Sequence, residues 1–182
     1  MDRRQRKTRQ SVFDAFTKLL ERKTYANITV QDIIDEADIG RSTFYAHFET
    51  KDDLLKALCS EIFEHVFAEK LSKESTHDFS AGSKDLHAEL THMLYHLRDS
   101  SRYIKRIISS ESGDMFMSYF KDYLKPVFES ELQKTQTGVP EEYLLNQTVC
   151  GFAETVRWWM DHENYSPEEI CGFFLSTMPF EK

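Results

Sequence analysis

The stretch Asp38–Phe48, DIGRSTFYAHF, has the composition of neither a core helix nor an ordinary surface helix. Phe44 and Phe48 are four positions apart, so on an α-helix their side chains diverge by only about 40° and share one face. Most of the other side chains in the stretch end in hydrogen-bonding groups. We therefore expect two aromatic rings to hold a short helix on its own domain while its other face offers polar contacts.

Two more helical patterns precede this stretch. Residues 9–23 place apolar side chains along one stripe, as is typical of an amphipathic helix. Residues 29–32, TVQD, resemble a capping box, and the apolar spacing after them predicts a second, shorter helix. Residues 38–40 supply a tight connection to the third helix, which we expect from about residue 41 to residue 48. Such a set of helices predicts a helix-turn-helix, whose last helix enters the major groove of DNA.

The polar residues of the third helix have the chemistry for that contact. Arg41 can make a bidentate contact with guanine, and Ser42 or Thr43 can meet a base edge or a thymine methyl group. Tyr45 and His47 are long enough to reach the DNA backbone. Taken alone, the same cluster is also compatible with a solvated helix face. The capped helix before it and the basic N-terminus favour the DNA interpretation.

A fourth helix is expected directly after this segment. Thr50 is a candidate N-cap, and Asp52 and Asp53 would lie in the first turn, where carboxylates favour the positive end of the helix dipole. Lys51, at the start of this helix, can neutralise a phosphate and so help to position a bound duplex.

Charge is divided unevenly along the chain. The net charge of −8 separates into +2 over residues 1–51 and −10 over residues 52–182. The first nine residues form a basic arm with five Lys or Arg and one Asp. A basic arm on an acidic body suggests a polyanionic partner for one end of the molecule, although a frayed, solubilising terminus would have the same composition.

The composition bounds the class of protein. The 182 residues are 40% hydrophobic and include only 6 Gly and 4 Pro, which favours long helices in one or two compact units. The three cysteines are far apart, so neither a disulfide framework nor a zinc cage is indicated. Neither a signal peptide nor an apolar run long enough for a bilayer is visible. We expect a soluble, cytoplasmic protein without a membrane partner.

The remaining sequence is also helical in pattern. The fourth helix is expected to reach about residue 71, and the polar residues 72–84 indicate a loop. Pro126 is expected to kink or divide a helix over residues 115–133. Ser166 and Pro167 have the residue types of an N-cap and first helical position, and begin a last helix that reaches about Met178. The other predicted helices cover residues 85–98, 101–109 and 141–162.

Residues 29–55, TVQDIIDEADIGRSTFYAHFETKDDLL, resemble the DNA-binding domain of the tetracycline-repressor-like (TetR) transcriptional regulators. The shared features are the opening of the second helix, a Thr-Phe-Tyr-x-His-Phe run and a Lys-x-x-Leu-Leu run, within a match over about residues 8–56. Asp38 and Gly40 depart from the family pattern, which has Gly and Ser there. The resemblance implies an all-α homodimer with an N-terminal helix-turn-helix domain.

The same resemblance implies a domain division and individual roles. Residues 1–50 would form the DNA-binding domain with its basic arm, and residues 51–182 a helical regulatory and dimerisation domain. Phosphate contacts of the family fall on Thr29 and Lys51, at the starts of the second and fourth helices. Its recognition-helix contacts fall on Arg41, Ser42, Thr43, Tyr45 and His47.

Residues 150–160 and 165–170 resemble a C-terminal domain type that is frequent among Gram-positive members of this family. In that type the last two helices pair with those of a second copy in a four-helix bundle. Two apolar helices at a chain end suit such a two-fold interface, although some of their aromatic residues must belong to the chain's own core. The interface candidates are Phe152, Trp158, Trp159, Phe173 and Phe174.

Aromatic residues in the second half can also line an apolar pocket for a small-molecule effector, although such stripes more often form plain core. The candidates for this pocket are Tyr95, Tyr103, Phe116, Tyr119, Phe120 and Tyr123.

Two histidines raise the question of a metal or an enzyme. His92 and His96 have the i, i+4 spacing that can bind a metal, but no third ligand is evident. An enzyme built on them would lack a nucleophile and a phosphate-binding loop, so we expect no metal, no cofactor and no catalysis. The favoured function is a dimeric repressor that binds an operator sequence in double-stranded DNA and is modulated by an effector. The main alternative gives the C-terminal domain a protein partner instead.

Overall fold

The computed structural model describes residues 3–67, 85–99, 101–110, 113–133 and 138–178. Within these ranges the chain forms helices and no β-strand, which confirms the all-α prediction. No helix in the same ranges is both long enough and apolar enough to cross a bilayer. The elements are α1 (Arg3–Leu20), a 3-10 turn (Tyr25–Asn27), α2 (Val30–Ala37), α3 (Arg41–Tyr45), α4 (Lys51–Phe67), α5 (Leu86–Asp99), α6 (Ser101–Ile108), α7 (Gly113–Leu132), α8 (Glu141–Met160) and α9 (Pro167–Ser176).

The chain divides into two compact units. The first unit consists of Met1–Glu61 and Arg102–Phe116, and the second unit of Ile62–Ser101 and Met117–Lys182. The first unit therefore contains the three helices of the predicted helix-turn-helix. The functional division at residue 50 stays a prediction.

α1 begins at Arg3, six residues before the start that the apolar pattern predicts. The basic segment is thus the first part of a helix rather than a separate arm, because Arg, Lys and Gln are all good helix formers. Farther along, α1 buries one stripe and packs chiefly on α2. The stripe consists of Val12, Phe13, Ala15, Phe16, Leu19 and Leu20.

Two capping boxes fix the helices on either side of α3. The Thr29 hydroxyl accepts a hydrogen bond from the Asp32 N–H at 3.1 Å, and the Asp32 carboxylate accepts one from the Thr29 N–H at 2.8 Å. Thr50 and Asp53 repeat this arrangement at the start of α4, with both distances 3.0 Å. Both predicted N-caps are confirmed, and each satisfies amide groups that a helix start leaves without partners.

Two sequence-based predictions about helix limits differ from the structure, and two others concern residues outside the described ranges. α3 ends at Tyr45 instead of Phe48. Pro126 does not divide α7, which runs through it, because the buried residues Leu124 and Phe128 hold both sides of the proline on one core. The predicted extension of the fourth helix beyond residue 67 and the predicted loop at 72–84 lie outside the described residues.

The core of the second unit contains a cluster of aromatic rings. Phe152 of α8 lies between three other rings, with centroid distances of 6.2 Å to Phe120, 6.0 Å to Phe128 and 4.9 Å to Phe174. All four side chains are buried, and edge-on or tilted pairs at such distances favour packing beyond the area that they bury. This cluster joins α7, α8 and α9.

Candidate DNA-binding interface

α3 is held on the first unit by the two rings that its sequence predicts. Phe44 is 0% exposed and Phe48 is 4% exposed. Their centroids lie 5.8 Å apart, and the Phe48 ring lies another 5.8 Å from Phe13 of α1. Although α3 ends at Tyr45, the Phe48 N–H still donates to the Phe44 carbonyl at 3.0 Å, so both rings face the core. One face of this short segment is therefore fixed.

The other face of α3 is open to solvent. Arg41 and Ser42 are exposed, the Tyr45 side chain is 50% exposed, and Thr43 and His47 are half-buried. The Tyr45 and Phe44 rings are perpendicular to each other at a centroid distance of 5.5 Å. The structure thus brings the five predicted recognition residues together on α3 and the two residues that follow it.

Gln31 of α2 is a residue of this surface that the sequence patterns did not indicate. Its side-chain carbonyl accepts a hydrogen bond from the Arg41 guanidinium at 2.6 Å, and its amide donates to Asp35 at 2.7 Å. Because a guanidinium has five N–H donors, Arg41 keeps others for a second partner. Gln31 thus orients the side chain that we predicted to contact guanine.

The turn between α2 and α3 has an unusual backbone at Asp38. Its φ of 50° and ψ of 52° lie in the left-handed region, which Gly, Asn and Asp tolerate best. The Asp38 and Ile39 N–H groups donate to the carbonyls of Asp35 and Ile34, the pattern of a Schellman motif that ends α2. The carboxylate that replaces the family glycine therefore lies at the point where the chain turns into α3.

The Thr29 hydroxyl takes part in the N-cap of α2. That hydroxyl donates to the Asp32 carboxylate at 2.8 Å, so in this arrangement its hydrogen is not available to a phosphate. The pKa of Asp32 is held below its ordinary value, first by the hydrogen bond from the Thr29 backbone and then by Lys23. The free N–H groups in the first turn of α2 remain suited to an anion. The phosphate contact of Thr29 stays a prediction.

Lys51 has intramolecular partners. Its ammonium donates to the carbonyls of Tyr25 and Ile28, each at 2.7 Å, and lies 4.2 Å from the centre of the Tyr25 ring. The Tyr25 hydroxyl in turn donates to Asp52. Burial lowers the pKa of Lys51. The side chain therefore fastens the 3-10 turn to the start of α4. Two of its three N–H groups are used in this way, so the predicted contact with a DNA phosphate would have to be made by the third, and it stays a prediction.

Comparison with known sequence families identifies both halves of the chain. Residues 12–58 match the family described as bacterial regulatory proteins, tetR family. Residues 84–178, more than half of the chain, match the family described as transcriptional regulator C-terminal region. The chain belongs to the TetR family of transcriptional regulators.

Similar proteins support this assignment of the regulator. A TetR transcriptional regulator from Streptococcus agalactiae has a crystal structure that is 30% identical, with a TM-score of 0.75 over 97% of this chain and 96% of that one. The HTH-type regulator YxbF of Bacillus subtilis is 39% identical over 36% of this chain. The HTH-type dhaKLM operon activator DhaS of Lactococcus lactis is 38% identical over 37% of this chain. These last two matches span only 19% and 34% of the relatives themselves.

Each of these relatives is named as a transcriptional regulator. The chain is therefore a DNA-binding regulator and not an enzyme, as the sequence predicted. His92 and His96 of the regulator bring their Nε2 atoms within 3.0 Å of each other, and His92 is buried. No group of three potential metal-binding side chains occurs in the part of the chain that the structure describes.

The five candidate dimer residues of the regulator separate into two groups. Phe152, Trp159 and Phe174 are buried within one copy of the chain, and the Trp159 indole N–H donates to the Tyr165 carbonyl at 2.9 Å. They cannot offer apolar surface to a second copy. Trp158 and Phe173 remain 45% and 46% exposed. The prediction of an interface is therefore retained for these two residues alone.

The six candidate effector-pocket residues are divided between the two compact units. Tyr103 and Phe116 belong to the first unit and the other four to the second. Phe116 and Phe120 are buried, and the Tyr95 hydroxyl donates to Glu168 at 2.6 Å, which raises the pKa of Tyr95. A separate cavity of about 150 Å³ in the second unit is lined by Arg98, Ser101, Trp159, Met160 and Glu163. The effector pocket stays a prediction.

Proposed function

We propose that this regulator is a homodimeric repressor that recognises an operator through α3 and leaves it when a small-molecule effector binds. The observation that carries the DNA-binding part is the two-sided character of α3. Phe44 and Phe48 fix the helix on the first unit, while Arg41, Ser42 and Tyr45 are exposed on the same short segment. A helix that is anchored on one side and polar on the other is suited to docking in a major groove.

We assign the contacts by their chemistry. Arg41, oriented by Gln31, reads a guanine, and Ser42 and Thr43 meet base edges or a thymine methyl group. Contacts to the sugar-phosphate backbone fix the register of the protein on the duplex without reading sequence. We assign those contacts to Tyr45, His47, the start of α2 at Thr29 and the start of α4 at Lys51.

Replacing Arg41 by Ala is expected to relax base preference at one position of each half-site and to weaken binding there by about 1–3 kcal/mol. The measurement is selection of bound duplexes from a random pool by the full chain, followed by titration of the selected duplex. Arg41→Lys is the matched control, because it keeps the charge and loses the bidentate fork. It should therefore lose the same base preference. Unchanged preference in Arg41→Ala would show that the assignment is wrong.

The exposed aromatic residues of the second unit support a homodimer. Trp158 of α8 stacks on Tyr165 at a centroid distance of 5.7 Å, and Tyr165 meets the edge of Phe173 at 5.3 Å. Together with His162, which stacks on Trp158 at a centroid distance of 4.0 Å, the three rings form one aromatic patch on α8, α9 and the connection between them. A patch of this kind suits a two-fold interface, in which the same surface is used by both copies.

Replacing Trp158 or Phe173 by Ala is expected to weaken dimerisation by about tenfold each, because exposed aromatic anchors commonly contribute more than about 1 kcal/mol to an interface. Sedimentation equilibrium over a concentration series measures the change. Tyr143→Ala is the control, since that side chain is 57% exposed on the same α8 but lies outside the patch. A wild-type chain that remains monomeric, or equal effects of all three changes, would contradict the proposed interface.

The proposed effector acts through the spacing of the two DNA-binding units. Consecutive half-sites on B-DNA lie about 34–36 Å apart, so a ligand that favours another spacing lowers DNA affinity. By linkage, DNA must lower ligand affinity by the same factor. Because operator DNA of a bacterium lies in the cytoplasm, we place this action there. Adding metabolite extract to the DNA selection tests for such a ligand.

A second candidate function is an activator whose C-terminal domain binds a protein. It is favoured by one observation, namely that the relative DhaS is named an operon activator. Affinity capture from cell extract on immobilised full-length chain distinguishes the two candidates. A protein retained by the immobilised chain, together with DNA binding that metabolite extract leaves unchanged, would favour the activator.

A further inference from the structure

The small cavity of the second unit has an apolar floor and a charged opening. Its volume is about 150 Å³, and it is lined by Arg98, Ser101, Trp159, Met160 and Glu163. Trp159 and Met160 are only 3% and 4% exposed, whereas Arg98 and Glu163 are exposed. Two buried side chains of α8 therefore form the floor, and two side chains of opposite charge lie where the small cavity meets solvent.

The floor of the small cavity offers apolar surface to a ligand. A tryptophan side chain has a single donor, the indole N–H, and that of Trp159 already donates to the Tyr165 carbonyl at 2.9 Å. Met160 adds a flexible, polarisable thioether, a group that adapts to irregular shapes. The floor therefore suits a hydrocarbon group that needs no hydrogen bond.

The Arg98 guanidinium is positioned by an aromatic ring of its own helix. Its central carbon lies 4.5 Å from the centre of the Tyr95 ring, and the Tyr95 hydroxyl donates to Glu168 of α9 at 2.6 Å. No carboxylate in the described part of the chain lies within ion-pair distance of Arg98. Because a guanidinium has five N–H donors, Arg98 can bind the carboxylate of a ligand, and such pairs are commonly bidentate.

The charges at the opening select for a ligand with two charged groups. A ligand that carries only a carboxylate pairs with Arg98 but is repelled by Glu163, and a ligand that carries only an amine meets the opposite mismatch. A ligand with both groups is attracted by both side chains. Ser101, which is half-buried at the start of α6, adds a hydroxyl that can donate to a carboxylate.

The volume of the small cavity limits the size of that ligand. Pockets for drug-sized molecules have volumes of about 300–1,000 Å³. A cavity of about 150 Å³ can hold a group the size of benzene. The ligand must therefore be compact, with one short apolar group on the floor and its charged groups at the opening.

We propose that the small cavity binds an α-amino acid with a short apolar side chain, such as valine. Arg98 and Ser101 bind the carboxylate, Glu163 binds the ammonium group, and the side chain lies on Trp159 and Met160. The inference rests on the proposed function, because it gives a chemical class to the effector of this regulator. By linkage, bound operator DNA lowers the affinity for the amino acid by the factor with which the amino acid lowers DNA affinity.

Isothermal titration calorimetry of the full chain with L-valine tests the site. We expect a Kd below about 1 mM, well within the binding free energy per atom that small ligands reach. Isovalerate lacks the ammonium group of valine and isobutylamine lacks its carboxylate, so each should bind roughly tenfold or more weakly. Isovalerate that binds as tightly as L-valine would overturn the proposal. So would the absence of saturable binding of L-valine, L-leucine and L-methionine.

Two variants test the assigned roles of the charged residues. Arg98→Gln is expected to weaken L-valine binding roughly tenfold and to leave isobutylamine binding unchanged. Glu163→Gln should weaken L-valine binding by a similar factor but strengthen isovalerate binding, because it removes the repelling carboxylate. Arg106→Gln and Glu141→Gln are the matched controls, since each removes an exposed charge outside the small cavity.

The four substituted side chains are all exposed, so we expect the variants to fold, which circular dichroism checks. Both controls should bind L-valine as the wild type does. Equal effects of Arg98→Gln and Arg106→Gln, or of Glu163→Gln and Glu141→Gln, would contradict binding at the opening of the small cavity.

Failure of this inference is distinguishable from failure of the proposed function. If metabolite extract releases the selected duplex while L-valine and its two relatives do not bind, the proposed function stands and this inference is overturned. If L-valine binds through Arg98 and Glu163 but leaves DNA affinity unchanged, the site is supported and regulation by its ligand is contradicted. A chain that binds L-valine and selects no duplex would overturn the proposed function alone.

Discussion

Replacing Phe44 by Ala is expected to lower the free energy of unfolding of the first unit by about 3–5 kcal/mol. The ring is fully buried, and its centroid lies 5.8 Å from that of Phe48. Its removal therefore leaves a cavity that the surrounding side chains cannot fill without moving. α3 has only five residues, too few for an isolated helix to persist in water. Sequence-specific DNA binding should therefore be lost together with stability.

Chemical denaturation followed by circular dichroism measures this change, with DNA titration on the same preparations. Tyr45→Ala is the matched control, because it removes a neighbouring ring that is half exposed. We expect it to cost less than about 1 kcal/mol of stability. A loss below about 1 kcal/mol in Phe44→Ala would mean that something other than this ring holds α3 on the first unit.

Replacing Lys51 by Met is expected to lower the free energy of unfolding by about 2–3 kcal/mol, since hydrogen bonds from charged groups are among the strong ones. Methionine keeps an apolar stem and removes the ammonium that holds the carbonyls of Tyr25 and Ile28. The Tyr25 carbonyl keeps its bond from the Ile28 N–H, so the carbonyl of Ile28 is the more affected. Thermal and chemical unfolding both measure the loss.

Lys56→Met provides the comparison for Lys51, because it makes the same change at an exposed position of α4. It should shift stability by less than about 1 kcal/mol, because even an ion pair at an exposed position contributes little. Equal shifts in the two variants would contradict the fastening role of Lys51. The salt slope of DNA binding then addresses its other predicted role, since a slope shallower by about 0.9 would show that the third N–H reaches a phosphate.

Local signals in the sequence predicted much of the first unit. The capping boxes at Thr29 and Thr50 and the spacing of Phe44 and Phe48 depend only on residues up to four positions apart, so their physical effect can be read directly from the order of residues. The same is true of the family match, which rests on a contiguous run. The start of α1 was predicted six residues too late, because no Gly or Pro separates the basic segment from the apolar pattern that follows it.

Long-range partners could not be predicted in this way. The carbonyls that accept hydrogen bonds from Lys51 are 26 and 23 residues away, and a lysine at a helix start looks the same whether it faces a phosphate or its own chain. The distinction between Trp158 and Trp159 has a related cause. Adjacent residues on a helix point about 100° apart, and only packing in three dimensions decides which of them meets the core.

In and directly after α3, the side chains that stabilise the segment differ from those that are exposed to solvent, and this affects how the regulator can diversify. Stability there depends on two inward rings, whereas Arg41, Ser42, Tyr45 and Ala46 are exposed to solvent. Substitutions at these four positions neither open a cavity nor strand a buried polar group. Under the proposed recognition by α3, base preference can be changed at Arg41 and Ser42, by evolution or by an engineer, almost without a penalty in folding.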